Sequence, residues 1–163
     1  DAGRDTTGGY NVFIGKDSGQ LITSGQNNTI IGSYNGNSSG LDLRTSSKQV
    51  LLSDGDGKVA LHNGLVATKT TTSQTEIYAF DSGVNESAKV TISANNGTDT
   101  YVVELLIAIN SAESVVNSTE YGQVSTGDFK VEYDVGFDNG NARLLATAPS
   151  ATSTTYKISI QLL

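Results

Sequence analysis

The sequence has no cysteine, no methionine, no tryptophan and a single proline, Pro149. Without cysteine there is no thiol nucleophile, no disulfide and no Cys-based zinc site, and the redox compartment is left undetermined. A chain that persists outside a cell without disulfides needs another source of stability, and oligomerisation through intertwined β-structure supplies one. There is one histidine, His62. Alone it cannot build a His-rich metal site, and no Gly-x-Ser-x-Gly elbow accompanies it to form a hydrolase triad. It reads as a solvated side chain on an edge strand. Basic residues are few and scattered, ten Lys plus Arg against seventeen Asp plus Glu for a net charge of −7. The clustered positive charge that nucleic acid or an anionic membrane surface requires is missing. The longest apolar run, Leu105 to Ile109, is far short of a bilayer span. No nucleic-acid partner, no membrane insertion and no cofactor are expected. The lack of any Met predicts a processed product or a segment of a longer chain.

What the chain does have is a repeat. Asn11-Val12-Phe13-Ile14-Gly15 matches Asn28-Thr29-Ile30-Ile31-Gly32, and Gly19 matches Gly36, at a constant offset. A fixed period with a short apolar run and a Gly stop predicts stacked β-coils. Asn and Gly tolerate the left-handed backbone that tight coil corners need. A solenoid needs about three or more repeats before the stack is stable. Two coils therefore predict further coils upstream, or a core completed by neighbouring chains in a homotrimer.

Beyond residue 40 the pattern changes. Leu41-Asp42-Leu43-Arg44 alternates. Val50-Leu51-Leu52-Ser53, Asp54-Gly55-Asp56-Gly57 and Lys58-Val59-Ala60-Leu61-His62 read as a hairpin around an Asp-Gly turn. Residues 64–75 are polar and aperiodic and read as a connector, which predicts a boundary near residue 68. The domains are then 1–68, a Gly/Asn-rich β-repeat with its hairpin, and 69–163, an antiparallel β-sandwich or jelly-roll-like domain. The second domain alternates at period two. Its stripes are Ile77 and Ala79; Val90, Ile92 and Ala94; Tyr101, Val103, Leu105, Ile107 and Ile109; Phe129, Val131, Tyr133 and Val135; and Tyr156, Ile158, Ile160 and Leu162. Val102, Leu106 and Ala108 give the third stripe a second apolar face, so that strand is expected to be buried on both sides. Six to eight strands near ten-residue spacing, with no helical stripe, make the chain all-β.

No motif carries catalysis. Asp54-Gly55-Asp56-Gly57 resembles a calcium loop, but the twelfth position, where a helix-loop-helix site needs Glu, is Leu65. Glu132 and Asp134 sit two apart on one strand, on its solvated face, rather than across a cleft as glycoside hydrolysis requires. The candidate binding residues are in polar turns: Asn95, Asn96, Asp99 and Tyr101 around one, Asp138 and Asn139 in the other. Asn and Asp there suit sugar hydroxyls, Tyr101 would stack on a ring face if exposed, and loops on a rigid β-scaffold are where binding residues concentrate. The acidic balance favours a neutral glycan or a protein over a polyanion.

Two resemblances follow from these residues. The segments Asn11 to Gly15 and Asn28 to Gly32 resemble the repeat of trimeric autotransporter adhesin heads, a left-handed β-roll, and the Gly/Asn repeats of tailed-phage fibres. Ser39-Gly40-Leu41-Asp42-Leu43-Arg44-Thr45 with Val50 to Gly57 is similar to a run in structural proteins of tailed phages, notably cyanophages. Ser87 to Val90, Thr119 to Gly122, Gly140 to Leu145 and Ala148 to Thr154 resemble the C-terminal β-domain of the same proteins. The resemblance implies a virion structural protein, a tail-fibre or appendage segment. Such a segment is homotrimeric, joined to other virion proteins, exposed on the particle and involved in attachment to a host cell-surface glycan or protein. The competing readings are a capsid or tail decoration, a cellular surface adhesin or filament subunit, and a fibre-borne depolymerase.

Overall fold

The computed structural model describes residues 1–38, 41–83 and 86–163; Ser39 and Gly40 of the phage-like run lie outside the described residues. It is all-β, as the alternation implies. Among the described residues no helix is long and apolar enough to cross a membrane. The chain forms two compact units, Asp1–Leu65 and Val66–Gln161 with Leu163.

The first unit is a coil stack. Strands β1 (Val12–Ile14) and β2 (Thr29–Ile31) pair in parallel with Val12 opposite Thr29, Phe13 opposite Ile30 and Ile14 opposite Ile31. A short antiparallel pair follows, β3 (Asn37–Ser38) with β4 (Leu41–Asp42). Strand β5 (Val50–Ser53) then returns parallel to β2, with Leu51 opposite Ile30. The chain thus supplies a third rung of its own where two were read. Strand β6 (Val59–Lys69) turns back antiparallel on β5. The hairpin reading of residues 50–62 therefore holds, and its first arm doubles as a coil. The turn is tied by Asp54, whose Oδ1 accepts the Asp56 and Lys58 N–H groups, both at 2.9 Å. Because β6 continues to Lys69, residues 64–69, read as connector, are strand.

Alternation in these strands places Phe13, Ile30 and Leu51 in one inward column, joined by Ile22 and Tyr34. Tyr34 is fully buried, and its hydroxyl donates to the Leu41 carbonyl at 2.7 Å. The residue before each strand explains why Asn recurs. Asn11 Oδ1 accepts the Asn28 backbone N–H at 2.9 Å, and Asn28 Oδ1 accepts that of Gln49 at 3.0 Å. Their amide nitrogens donate to the corner carbonyls of Gly25 (2.8 Å) and Ser46 (2.9 Å). Each rung's amide side chain satisfies backbone groups of the next, which buried corners would otherwise leave unpaired.

The ladder ends on His62. Its Nε2 lies 2.7 Å from Gln49 Oε1, and the residue is wholly buried. This corrects the reading of His62 as a solvated edge residue. The pairing of Leu51 with His62 puts the imidazole on the inward face, and β6 is not an edge strand. Burial pulls its pKa down from 6.5 to about 4, so the ring is neutral in the native state. The unfolded chain therefore binds more protons between those values, and stability falls as pH drops from 6.5 toward 4. A difference of that size amounts to about 3 kcal/mol. Urea titrations should show the loss beginning near pH 6.5, above the carboxylate range. His62→Gln should flatten the slope between pH 6.5 and 5, and an unchanged slope would mean other groups carry it.

The second unit contains β7 (Thr75–Asp81), β8 (Ser87–Asn95), β9 (Thr100–Asn110), β10 (Val115–Ser125), β11 (Glu132–Asp138), β12 (Asn141–Thr147) and β13 (Thr154–Leu162). The end of β6 continues into the order β13-β8-β9-β10, and a second sheet runs β11-β12-β7. Each sheet buries one face, Val90, Ile92, Val103, Leu105, Ile158 and Ile160 from the first and Tyr78, Phe80, Ala142, Leu144 and Ala146 from the second. Two expected faces change. A register shift opposite Leu144 and Leu145 leaves Ile77 between the pairs made by Glu76 and Tyr78. Beyond it Tyr78 and Phe80, rather than Ala79, point inward, as a bulge reverses the alternation. The outer face of β9 is open, with Leu106 47 % exposed, so β9 is buried on one side only.

Candidate functional site

Of the turn residues selected from the sequence, Asn95 and Asn96 bond within their own turn and Asp99 bonds to the loop after β10. Asn95 Oδ1 accepts the Gly97 N–H at 2.8 Å, and its Nδ2 donates to Thr100 Oγ1 at 2.8 Å. Asn96 Oδ1 accepts the N–H groups of Thr98 (2.9 Å) and Asp99 (2.7 Å). Asp99 Oδ1 accepts from Thr126 Oγ1 at 3.3 Å. Tyr101, which would have to be exposed to stack on a sugar, is 2 % exposed and lies parallel to the Tyr133 ring, centroids 6.3 Å apart. Position 101 leads the inward stripe of β9, so the sheet interior claims the ring. Burial pushes the Tyr133 phenol well above its ordinary pKa.

In the second turn Asn139 (φ 49°) and Gly140 (φ 80°) both have positive φ, the geometry of a two-residue I′ hairpin. Asp138 accepts from Arg143 Nη1 at 3.4 Å, and Arg143 also pairs with Glu76. The structure does not bring the two turns together. Tyr101 packs beside Tyr133 near the start of β11, whereas Asp138 ends that strand, about 17 Å farther along it at strand rise.

Two surfaces of the coil stack were not legible as sites in the sequence. The first is the outer face of its parallel strands. Val12 (47 % exposed), Ile14 (55 %), Ile31 (41 %), Val50 (46 %) and Leu52 (40 %) form adjoining rows with Thr29, continued by Leu61 opposite Leu52. No charged side chain interrupts these rows. Parallel sheets are ordinarily covered on both faces, and a contiguous apolar patch marks an interaction surface. The sequence shows Val12, Ile14 and Ile31 as strand residues; only the register with β5 reveals that they abut Val50 and Leu52.

The second surface is a polar cleft of about 240 Å³ at the C-terminal ends of the rungs. It is lined by Lys16, Asp17 and Gln20 of the first coil, Ser33 and Asn35 of the second, and Gly55 and Asp56 of the third. These are corresponding corner positions, each following the Gly15, Gly32 or Ser53 that closes a strand. Among the described residues no group of three or more His, Cys, Asp or Glu could hold a metal ion.

No protein-family profile and no curated protein sequence matches the chain. Solved structures that are similar in part include two phage tailspike proteins. The tailspike protein of Acinetobacter baumannii phage AM24 has a TM-score of 0.37 and 9 % identity, over 65 % of this chain and 26 % of that one. The tailspike protein of Acinetobacter phage vB_ApiP_P1 has a TM-score of 0.37 and 13 % identity, over 87 % of this chain and 35 % of that one. The chain thus spans about a quarter to a third of their length.

Proposed function

We propose that this chain is a segment of a bacteriophage tail-associated attachment protein, a non-catalytic fibre or appendage module exposed on the virion. It assembles as a homotrimer in which the outer apolar faces of three coil stacks cover one another. The observation that carries this reading is the row of Val12, Ile14, Ile31, Val50 and Leu52 open on a parallel sheet. Covering the roughly half of each side chain still exposed contributes about 0.7–1.5 kcal/mol apiece, which over five residues in each of three copies offsets the entropic cost of association. The order of segments resembling phage structural proteins supplies the biological setting, with other virion proteins and a host cell-surface glycan or protein as the partners.

Light scattering should give a particle near three times the 17.0 kDa chain mass. Ile31→Lys with Leu52→Lys should shift it to a folded monomer, because both side chains are exposed and their loss leaves no internal cavity. A stable monomer for the unsubstituted chain would overturn the assembly. Labelled trimer should adhere to cells of particular strains in a bacterial panel, and uniform lack of adhesion across host strains would remove the attachment role.

A further inference from the structure

We infer that the cleft at the coil corners is a binding site for a neutral sugar ring. This rests on the attachment reading and names the class of its partner.

The side chains of Lys16, Gln20, Ser33 and Asp56 have no hydrogen-bond partner among the described residues, although Lys16 lies close enough to Asp17 to help hold its carboxylate charged. Asn35 uses only its Oδ1, which accepts the Asn37 N–H at 2.9 Å, and its amide Nδ2 remains. Asp17 Oδ1 accepts from the Asp1 backbone nitrogen at 2.7 Å, leaving one carboxylate oxygen. The wall therefore offers unspent donors on Lys16, Gln20, Ser33 and Asn35 and unspent acceptors on Asp17, Gln20, Ser33 and Asp56. By contrast, the side-chain oxygens of Asn95 and Asn96 already accept bonds within their own turn.

Charge and size select the ligand. Two carboxylates beside one ammonium disfavour an anion, and the ammonium with so few carboxylates disfavours a divalent cation, which takes six to eight oxygens. A polyhydroxylated neutral ring donates and accepts at every hydroxyl and suits a mixed wall. A volume of about 240 Å³ accommodates one such ring. The three coils present their corners about 4.8 Å apart, so a ring lying along the stack reaches groups on all of them. Coil stacking holds these side chains at fixed spacing, which lowers the ordering cost of binding.

The test is amide chemical-shift mapping on the intact assembly. The probes are glucose, galactose, mannose and N-acetylglucosamine, with glucuronic acid, glucosamine and calcium chloride as charged comparisons. At least one neutral sugar should move the amides of Gln20, Ser33, Asn35 and Asp56 saturably, and Gln20→Ala with Asp56→Ala should weaken it tenfold or more without lowering the melting temperature. Shifts with only the charged probes would overturn the assignment to a neutral ring. Shifts confined to residues 95–101 or 138–141 would place the sugar site in the turns while leaving the attachment reading standing. Absence of any shift with every neutral sugar, in an assembly that still adheres to cells, would overturn this site alone. Loss of adhesion in all strains would remove the reading beneath it.

Discussion

Deleting the chain from Tyr156 onward is expected to abolish soluble folding. Strand β13 lies between β6 and β8 in its sheet, so its removal opens two ladders at once. Tyr156, Ile158 and Ile160 are at most 1 % exposed, and Leu162 is buried as well. Each contributes roughly 1.5–3 kcal/mol when taken from water, against a total stability of about 5–15 kcal/mol for a domain. Losing all four removes about 6–12 kcal/mol, most or all of that margin, before the lost backbone pairing is considered. The truncated chain should enter the insoluble fraction or show no cooperative melt by circular dichroism. Ile158→Ala, which removes one inward side chain and no backbone pairing, should remain folded and lose about 2–5 kcal/mol. A cooperative melt from the truncated chain would show β13 to be peripheral despite its position.

What the sequence made legible follows from what burial does to a pattern. The stripes of β8, β9 and β13 were readable because one face of each strand meets a core, and alternation is the trace that burial leaves. Strand β10 has no such trace. Its eleven residues are almost all exposed on both faces, and it is held by backbone pairing to β9, to which side-chain periodicity is blind. The third coil was hidden for a different reason. Gln49 replaces the Asn of the earlier rungs, Ser53 replaces the Gly, and the β3–β4 excursion lengthens the loop before it. The chemistry of the rung survives those changes, since Gln49 still accepts and donates in the ladder, but the spelling does not. His62 was misread because a lone His on a polar-looking hairpin carries no sign of the amide ladder it terminates. The candidate turns were correctly seen as turns, and their Asn and Asp are explained by turn geometry. The coil-corner cleft could have been anticipated only by aligning all three rungs.

Substituting Gly15 or Gly32 by Val is expected to destabilise the coil stack far more than substituting glycines that lack a close neighbour. Both residues hold left-handed backbone, at φ 128° and 115°. Space is the stronger constraint. A Cβ on Gly15 would collide with the Gly32 carbonyl oxygen, and a Cβ on Gly32 with the Ser53 carbonyl oxygen. Those atoms belong to the backbone of the next rung, so the clash cannot be relieved by turning a side chain; the rungs must separate. Ladder bonds on both sides resist this, including Gly32 N–H to the Ile14 carbonyl at 2.8 Å and Ser33 N–H to the Asp54 carbonyl at 3.0 Å. The left-handed conformation alone costs a β-branched residue about 1–3 kcal/mol, and forced overpacking adds about as much again. Gly97 also has positive φ, 94°, but a Cβ there meets nothing within 4 Å, so Gly97→Ala should cost only about 1 kcal/mol. Gly55 has neither constraint, and Gly55→Ala should be nearly neutral. For a chain of this size 1 kcal/mol corresponds to about 2–4 °C, so melts should separate Gly15→Val and Gly32→Val, about 10 °C down or unfolded, from the two controls. Because Ile14 and Ile31 directly precede these glycines and stand on the outer apolar face, the same two variants should also lose the trimer. Equal melting shifts in all four variants would show that the rungs do not depend on close backbone approach at these corners.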